Sequence, residues 1–340
     1  MTQPEAGMRD TASQQHIDSE KAMPEFSVLV TCHYEEHSIE EFHARISATM
    51  ESVGRSYEII MVNDGSTDNT IEKLKDIFQR NPRVTAVIDL FKNSGQAAAL
   101  TAGICQARGS ALVYMDSDLQ LAPEEIPLLI REYDKGYDVV SGYRKNRKDS
   151  LFRIIPSKIA NMIMRKASRS TFRDFGCTFK IFNAQLVRAF DFGPFHVFST
   201  PDVISRAGRS CEVPVTHCPR KYGKSGWTFR KLWNYNMDNI VSMSERPFQL
   251  LALVSFVLAV LFGLRVVIDY FTPFKILAGV STGLLLNAVV ISAFVIVTIL
   301  CMIGEFTVRS FVASRRLPKY IVKEMLRREP ERLPDNEKAG

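Results

Sequence analysis

An α/β domain over residues 26–227, built on a parallel sheet and followed by a two-helix membrane hairpin, is the architecture this sequence predicts. Three observations predict it. From Phe26 onward, apolar β-branched runs alternate with runs of helical spacing; acidic motifs follow the second and fourth strand-like runs; and two long segments of the C-terminal third carry no charge.

The elements follow in order. "FSVLVTC" (26–32), "YEIIMVN" (57–63), "VTAVIDL" (84–90), "SALVYMD" (110–116) and "YDVVSGY" (137–143) read as strands, rich in Val, Ile, Leu and Tyr. Between them "IEEFHARISATMESV" (39–53), "NTIEKLKDIFQR" (69–80), "GQAAALTAGICQAR" (95–108) and "PEEIPLLIREYDKG" (123–136) read as helices. Such βαβ alternation implies a parallel sheet covered on both faces, and nearly continuous apolar strands agree with burial on both.

The hairpin rests on Phe248–Leu264 and Ile276–Ile303, neither of which contains a charged residue. Each is near or above the ~18–20 apolar residues a helix needs to cross a bilayer. Only Arg265–Lys275 separates them, so residues 247–304 should enter and leave on one side. Basic stretches on both flanks put that side in the cytoplasm by the positive-inside rule. Residues 305–340 then form a basic cytoplasmic tail, and 1–25, which lack an apolar signal core, a disordered leader.

Composition narrows the classes. With 340 residues, 46% hydrophobic content and net charge +6, the chain is too apolar for disorder. Cys32, Cys105, Cys177, Cys211, Cys218 and Cys301 are scattered without a Cys-x-x-Cys pair, so neither a disulfide framework nor a zinc site is indicated, and reduced thiols are expected. No nucleic-acid partner is expected. Neither Gly-x-Gly-x-x-Gly after the first strand nor a Walker-type loop is present, which disfavours dinucleotide and P-loop binding.

"NDGSTD" follows the second strand and "DSDLQ" the fourth. Ligands of open α/β sheets sit beyond the carboxyl ends of the strands, so both acidic groups face the expected ligand edge. An isolated Asp-x-Asp is more often a solvated turn than a site. Two such groups on one edge favour a metal and nucleotide, because Mg²⁺ is commonly held by one or two carboxylates plus substrate phosphates.

The Asp-Gly-Ser-Thr-Asp turn, the Gly-Gln-x-x-Ala-Leu helix start, Asp-x-Asp-Leu-Gln and the C-terminal hairpin together resemble inverting GT-A glycosyltransferases, a Rossmann-like nucleotide-diphospho-sugar fold, that load a sugar onto polyprenyl phosphate. "GYDVVSGYRKNRKDSLFR", "DFGCTFKIF", "HCPRKYGKSGWTFRKL" and "GEFTVRSF" are most similar to undecaprenyl-phosphate formamido-arabinose transferases and to the dolichyl- or undecaprenyl-phosphate glucosyl and mannosyl transferases. The resemblance covers about Phe26 to Met325.

It implies roles residue by residue. Asp64 would accept the ring N–H of uracil, and Glu35 would lie beside the nucleotide, although Thr31, His33 and Tyr34 depart from the family's usual Pro-x-Tyr-Asn before it. Asp116 and Asp118 would hold ribose and a Mg²⁺ or Mn²⁺ ion, with Gln120 at a matching position. Asp174, in "RDFGCTF", falls at the acid that acts as base or orients the acceptor. A phosphate monoester is already largely anionic near neutral pH, with a second pKa of about 6, so proton abstraction need not be required and the expectation is that Asp174 positions or activates the acceptor. Arg144 and Arg220 are the favoured phosphate contacts, since guanidinium matches phosphate bidentately. Arg147, Lys148 and Ser225 lie in the same basic stretches.

Residues 228–246 place Phe229, Leu232, Trp233, Met237, Ile240 and Val241 at helical spacing, away from Arg230, Lys231 and Asp238. That pattern suits an amphipathic helix in the headgroups, and a domain-packing helix shows it too. The resulting expectation is a metal-dependent, membrane-anchored transferase that moves a sugar from a UDP-sugar to undecaprenyl phosphate with inversion. By resemblance it is a homo-oligomer, a tetramer. Two rivals stand beside it. A processive polysaccharide synthase would carry Gln-x-x-Arg-Trp, whereas neither Trp227 nor Trp233 follows an Arg. A non-catalytic membrane adaptor would tolerate loss of the acids, yet all are present.

Overall fold

The computed structural model describes residues 23–145, 165, 172–219, 221–222, 281–314 and 317–328. Strands β1 (Phe26–Cys32), β2 (Tyr57–Asn63), β3 (Val84–Leu90) and β4 (Ala111–Asp116) form where the continuous apolar runs predict them. They lie in the order β4-β1-β2-β3 and run parallel. All seven residues of β2 are buried, as expected of a strand covered on both faces.

The crossovers are α1 (Ile39–Val53), α2 (Thr70–Arg80) and α3 (Gln96–Ile104). In α1 the stripe Ile39, Phe42, Ile46 and Met50 is fully buried. Each such side chain contributes roughly 1.5–3 kcal/mol relative to exposure. The helix stops at Gly54, whose φ of 68° is the left-handed cap that glycine adopts without a Cβ penalty.

After β4, the 3₁₀ turn Pro123–Glu125 and α4 (Ile126–Tyr133) lead to β5 (Val139–Lys145). Here the sheet departs from the all-parallel expectation. The four-residue β6 (Lys180–Asn183) inserts between β4 and β5, antiparallel to both, so β5 keeps its predicted direction but is displaced by one position. Beyond β5 lies β7 (Ser210–Thr216), which runs parallel to it. At the other edge β8 (Val322–Arg327), from the segment expected as a basic tail, pairs antiparallel with β3. The result is an eight-stranded mixed sheet, β7-β5-β6-β4-β1-β2-β3-β8. An antiparallel neighbour needs no long crossover, which lets short segments join the parallel centre at either side. Short helices α5 (Ala184–Arg188) and α6 (Thr200–Arg206) link β6 to β7.

The chain divides into two compact units, Met1–Ile240 with Pro318–Gly340, and Val241–Leu317. The described part of the second is α7 (Ser281–Ser314), one helix of 34 residues that covers most of the second uncharged run. Its side chains are described at only some positions, and among the described residues no helix is long and apolar enough to cross a membrane. The expected leader up to residue 22, the amphipathic segment 228–246 and the run Phe248–Leu264 lie outside the described residues. Cys32, Cys105, Cys177, Cys211 and Cys218 are free thiols, as their scatter predicts.

Candidate active site

The parallel strands end level with one another: Thr31 pairs with Asp116, and Cys32 with Asn63. Asp64, the next residue after β2, therefore stands on the same rim as Asp116. Two inter-strand steps separate them, roughly 10 Å.

Asp64 is 5% exposed. Its Oδ1 accepts from the Ser94 N–H at 2.7 Å and its Oδ2 from the Gly95 N–H at 3.0 Å. Burial pushes its pKa up, against those two bonds and the nearby His33. The turn after it requires glycine. Gly65 has a φ of 64°, and a Cβ there would fall 2.2 Å from the Lys92 carbonyl carbon. This close approach, with Asn63 Nδ2 donating to Asp89 Oδ1 at 2.7 Å, clamps the rim of β2 to that of β3. His33 shares a 2.7 Å hydrogen bond with Asn93 Nδ2, in keeping with a structural role.

Asp116 closes β4 and is a hub. Its Oδ1 accepts from Thr31 Oγ1 at 2.9 Å and Tyr114 OH at 3.1 Å, while Gln96 Nε2 donates to both carboxylate oxygens at 2.7 Å. Asp118, half-buried, accepts the Gln120 N–H at 3.1 Å in an Asx turn. Leu119 between them adopts φ 58° with its side chain 6% exposed. For a non-glycine residue that conformation costs about 1–3 kcal/mol, the kind of local strain found where a turn is held for function. The loop is braced from outside, because the Cys218 N–H donates to the Gln120 carbonyl at 2.8 Å and Leu121 bridges to His217. The start of the basic "HCPRKY" stretch thus lies against the Asp-x-Asp turn.

Glu35 is 7% exposed and lies in the turn ahead of α1, where its carbonyl accepts the Ser38 and Ile39 N–H groups. Its carboxylate accepts from the Ser38 hydroxyl, and its N–H donates to Thr70 Oγ1 at 3.0 Å.

On the far side of β4, Arg144 and Asp174 meet as a bidentate pair, with Nε to Oδ2 at 2.8 Å and Nη2 to Oδ1 at 2.9 Å. The sequence brought these two to notice separately, as phosphate contact and as acceptor acid. Glu212 on β7, which the sequence did not single out, accepts the N–H groups of Arg173 and Asp174 at 2.8 and 3.0 Å and so holds their loop. Gln96, Tyr114 and Thr31 were likewise missed as partners of Asp116; only the Gly-Gln helix start hinted at Gln96. Arg147, Lys148, Arg220 and Ser225 lie outside the described residues. Their neighbour Lys221 pairs with Glu41 of α1 at 2.7 Å.

A family model described as glycosyl transferase family 2 matches residues 27–195. The undecaprenyl-phosphate 4-deoxy-4-formamido-L-arabinose transferase of Pseudomonas paraeruginosa is 32% identical over 314 residues, spanning 91% of this chain and 92% of that protein. The chain belongs to glycosyl transferase family 2. It is a glycosyltransferase on a GT-A-like mixed α/β sheet. Among solved structures, the glucosyl-3-phosphoglycerate synthase of Mycobacterium tuberculosis in complex with phosphoglyceric acid is similar at TM-score 0.49 and 17% identity, over 67% of this chain and 83% of that one. S. aureus TarS 1-349 in complex with UDP-GlcNAc is similar at TM-score 0.44 and 18% identity, over 64% and 66%.

Among the described residues no group of three or more His, Cys, Asp or Glu side chains clusters as a metal site. The donor set of this family 2 chain still suits one kind of ion. Two carboxylates on one turn match a Mg²⁺- or Mn²⁺-like cation that takes its remaining ligands from phosphates and water. With Asp116 Oδ1 already accepting three bonds, Asp118 and Asp116 Oδ2 are the better placed oxygens.

Proposed function

We propose that this glycosyltransferase moves a sugar from a UDP-sugar to undecaprenyl phosphate at the cytoplasmic face of the membrane, by a single inverting displacement with a divalent cation. The observation that carries the reading is the shared rim of β2 and β4. It sets a buried acceptor, Asp64, about 10 Å from the Asp116–Asp118 turn, the spacing of two strands.

In this reading Asp64 accepts the uracil N–H, Glu35 backs the nucleotide side from the turn ahead of α1, and Asp116 and Gln120 fix the ribose end. Asp118 and Asp116 would hold a Mg²⁺ or Mn²⁺ ion, which when bound supplies several kcal/mol of charge stabilisation to the departing diphosphate. The acceptor phosphate oxygen attacks the anomeric carbon from the face opposite UDP, and the bond to UDP breaks as the new one forms. That oxygen is already anionic, so no proton needs removing. Asp174 is then a positioning residue: it holds the Arg144 guanidinium for an anionic acceptor, joined by Arg220 and Ser225.

The membrane part of the proposal rests on the two uncharged runs, Phe248–Leu264 and Ile276–Ile303, and on the relative of like length that acts on undecaprenyl phosphate. An amphipathic helix at 228–246 and a homotetramer complete the arrangement. The test is UDP release from a panel of UDP-sugars, with and without undecaprenyl phosphate and with EDTA. Release from one sugar should depend on both the acceptor and a divalent ion. Acceptor-independent behaviour across the whole panel would favour the adaptor.

A further inference from the structure

Behind Asp116, where the N-terminal turn of α3 faces β6, lies a cavity of about 50 Å³ lined in part by Gln96, Tyr114, Thr178, Lys180, Phe198 and Thr200. Lys180 opens β6 and is 1% exposed. Among the described residues its amine makes one hydrogen bond, a long one of 3.4 Å to the Phe175 carbonyl. An ammonium carries three donors, and a buried charge is costly unless its donors are used. Burial pushes the Lys180 pKa down, with Cys177, Asp174 and Glu212 pulling the other way and Arg144 adding to the push. The Lys180 amine thus lines a polar cavity with hydrogen-bonding capacity that the described residues leave to an occupant.

Strand order indicates which occupant. Along the rim the sequence of strands is β2, β1, β4, β6, β5. With the base at the end of β2 and the diphosphate at the end of β4, the next group of the donor, its sugar, falls over β6. Tyr114 and Lys180 are direct register partners, and both Tyr114 and Gln96 also bond Asp116. The cavity therefore opens behind the ribose and diphosphate end. Since a water needs about 10–15 Å³ of such space, the cavity suits a substituent and not a whole ring.

We propose that this cavity receives an oxygen-bearing substituent of the transferred sugar, hydrogen-bonded by Lys180, Thr178 and Thr200, and that Lys180 is a specificity-determining residue. The inference rests on the donor being a UDP-sugar lying along the rim as described above.

The experiment is calorimetric binding of UDP and of a panel of UDP-sugars to the full-length protein and to its Lys180→Met and Thr200→Val variants. Lys180→Met should keep UDP affinity within twofold, weaken the preferred UDP-sugar tenfold or more and flatten the preference across the panel. Its thermal midpoint should hold or rise, because a flexible apolar side chain replaces a buried amine with one long hydrogen bond among the described residues. Thr200→Val should weaken the same sugar to a smaller degree. An unchanged preference, a parallel loss of UDP and UDP-sugars, or a midpoint lowered with equal loss for every ligand would each overturn the proposal. Failure of the wild-type protein to bind UDP at all would instead sink the donor assignment, and this inference with it.

Discussion

Arg144 closes on Asp174 through two parallel hydrogen bonds, with the Arg144 side chain 17% and the Asp174 side chain 8% exposed. A carboxylate so engaged serves better as a holder of a guanidinium than as a base. If it acts through Arg144, the two residues form one unit. Asp174→Asn should then lower kcat/KM for the lipid acceptor at least tenfold, and Arg144→Met should do as much. The double variant should lose little beyond the worse single one, because residues acting together are not additive. Additive losses in steady-state kinetics would assign Asp174 a separate task.

Asp64 offers a pH-dependent test. Its pKa is raised above 3.8, first by burial, so the acceptor carboxylate is lost at a higher pH than an ordinary aspartate would lose it. If Asp64 holds the base as proposed, UDP affinity should be present above that raised value and decline as pH falls through it. Asp64→Asn should weaken UDP tenfold or more at neutral pH and remove this part of the acid dependence, as measured by calorimetry from neutral pH downward over the range in which both proteins stay folded.

Gly65 is where backbone and site coincide. Adding a Cβ would drive it into Lys92 at 2.2 Å on a backbone of positive φ. Gly65→Ala should cost about 1–3 kcal/mol or more, and the displaced loop should weaken UDP as well. A thermal melt alongside UDP titration separates the two effects; an unchanged midpoint would contradict the packing.

The opposite end of the sheet provides a control for stability without catalysis. Glu58, near the start of β2, accepts from Ser27 Oγ, Thr85 Oγ1, the Arg108 N–H and the Arg108 guanidinium. Burial pushes its pKa up, but these bonds prevail and hold it below 4.5. The stability it contributes is thus present above pH 4.5 and lost as pH falls through the lower folded value. Arg108→Ala should cost roughly 3 kcal/mol by removing the cation from a buried carboxylate that keeps its Ser27, Thr85 and backbone N–H bonds. Turnover per folded molecule should stay unchanged.

How far the sequence reveals this molecule depends on burial and on distance along the chain. β1, β2 and β3 start and stop at the predicted residues because they are continuous apolar runs with no competing pattern. β6 is only "KIFN", β7 carries Pro214 on a partly exposed strand, and β8 reads "VKEMLR" with five of its six residues exposed. None of these has the run length or alternation that marks a strand before its neighbours are known. The site divides in the same way. Asp64, Asp116 and Asp118 are legible because their meaning is local, an acid directly after an apolar strand. The bonds that Gln96 and Thr31 make to Asp116, the hold of Glu212 on the Asp174 loop, and the burial of Lys180 arise only when distant segments meet.

The proposed metal dependence is tested at the acidic turn. Asp118→Asn should abolish acceptor-dependent UDP release while leaving the fold intact, since Asp118 is half-buried and its turn bond needs only one oxygen. Titrating Mn²⁺ into EDTA-treated protein should restore the wild type and not this variant.

The most direct measurement is mass spectrometry of undecaprenyl lipids after the full-length protein is incubated with undecaprenyl phosphate, a divalent cation and UDP-sugars in turn. The account predicts one new lipid, heavier than undecaprenyl phosphate by a single glycosyl residue and absent with Asp118→Asn. No glycosylated lipid from any UDP-sugar, or a ladder of several added residues, would contradict it.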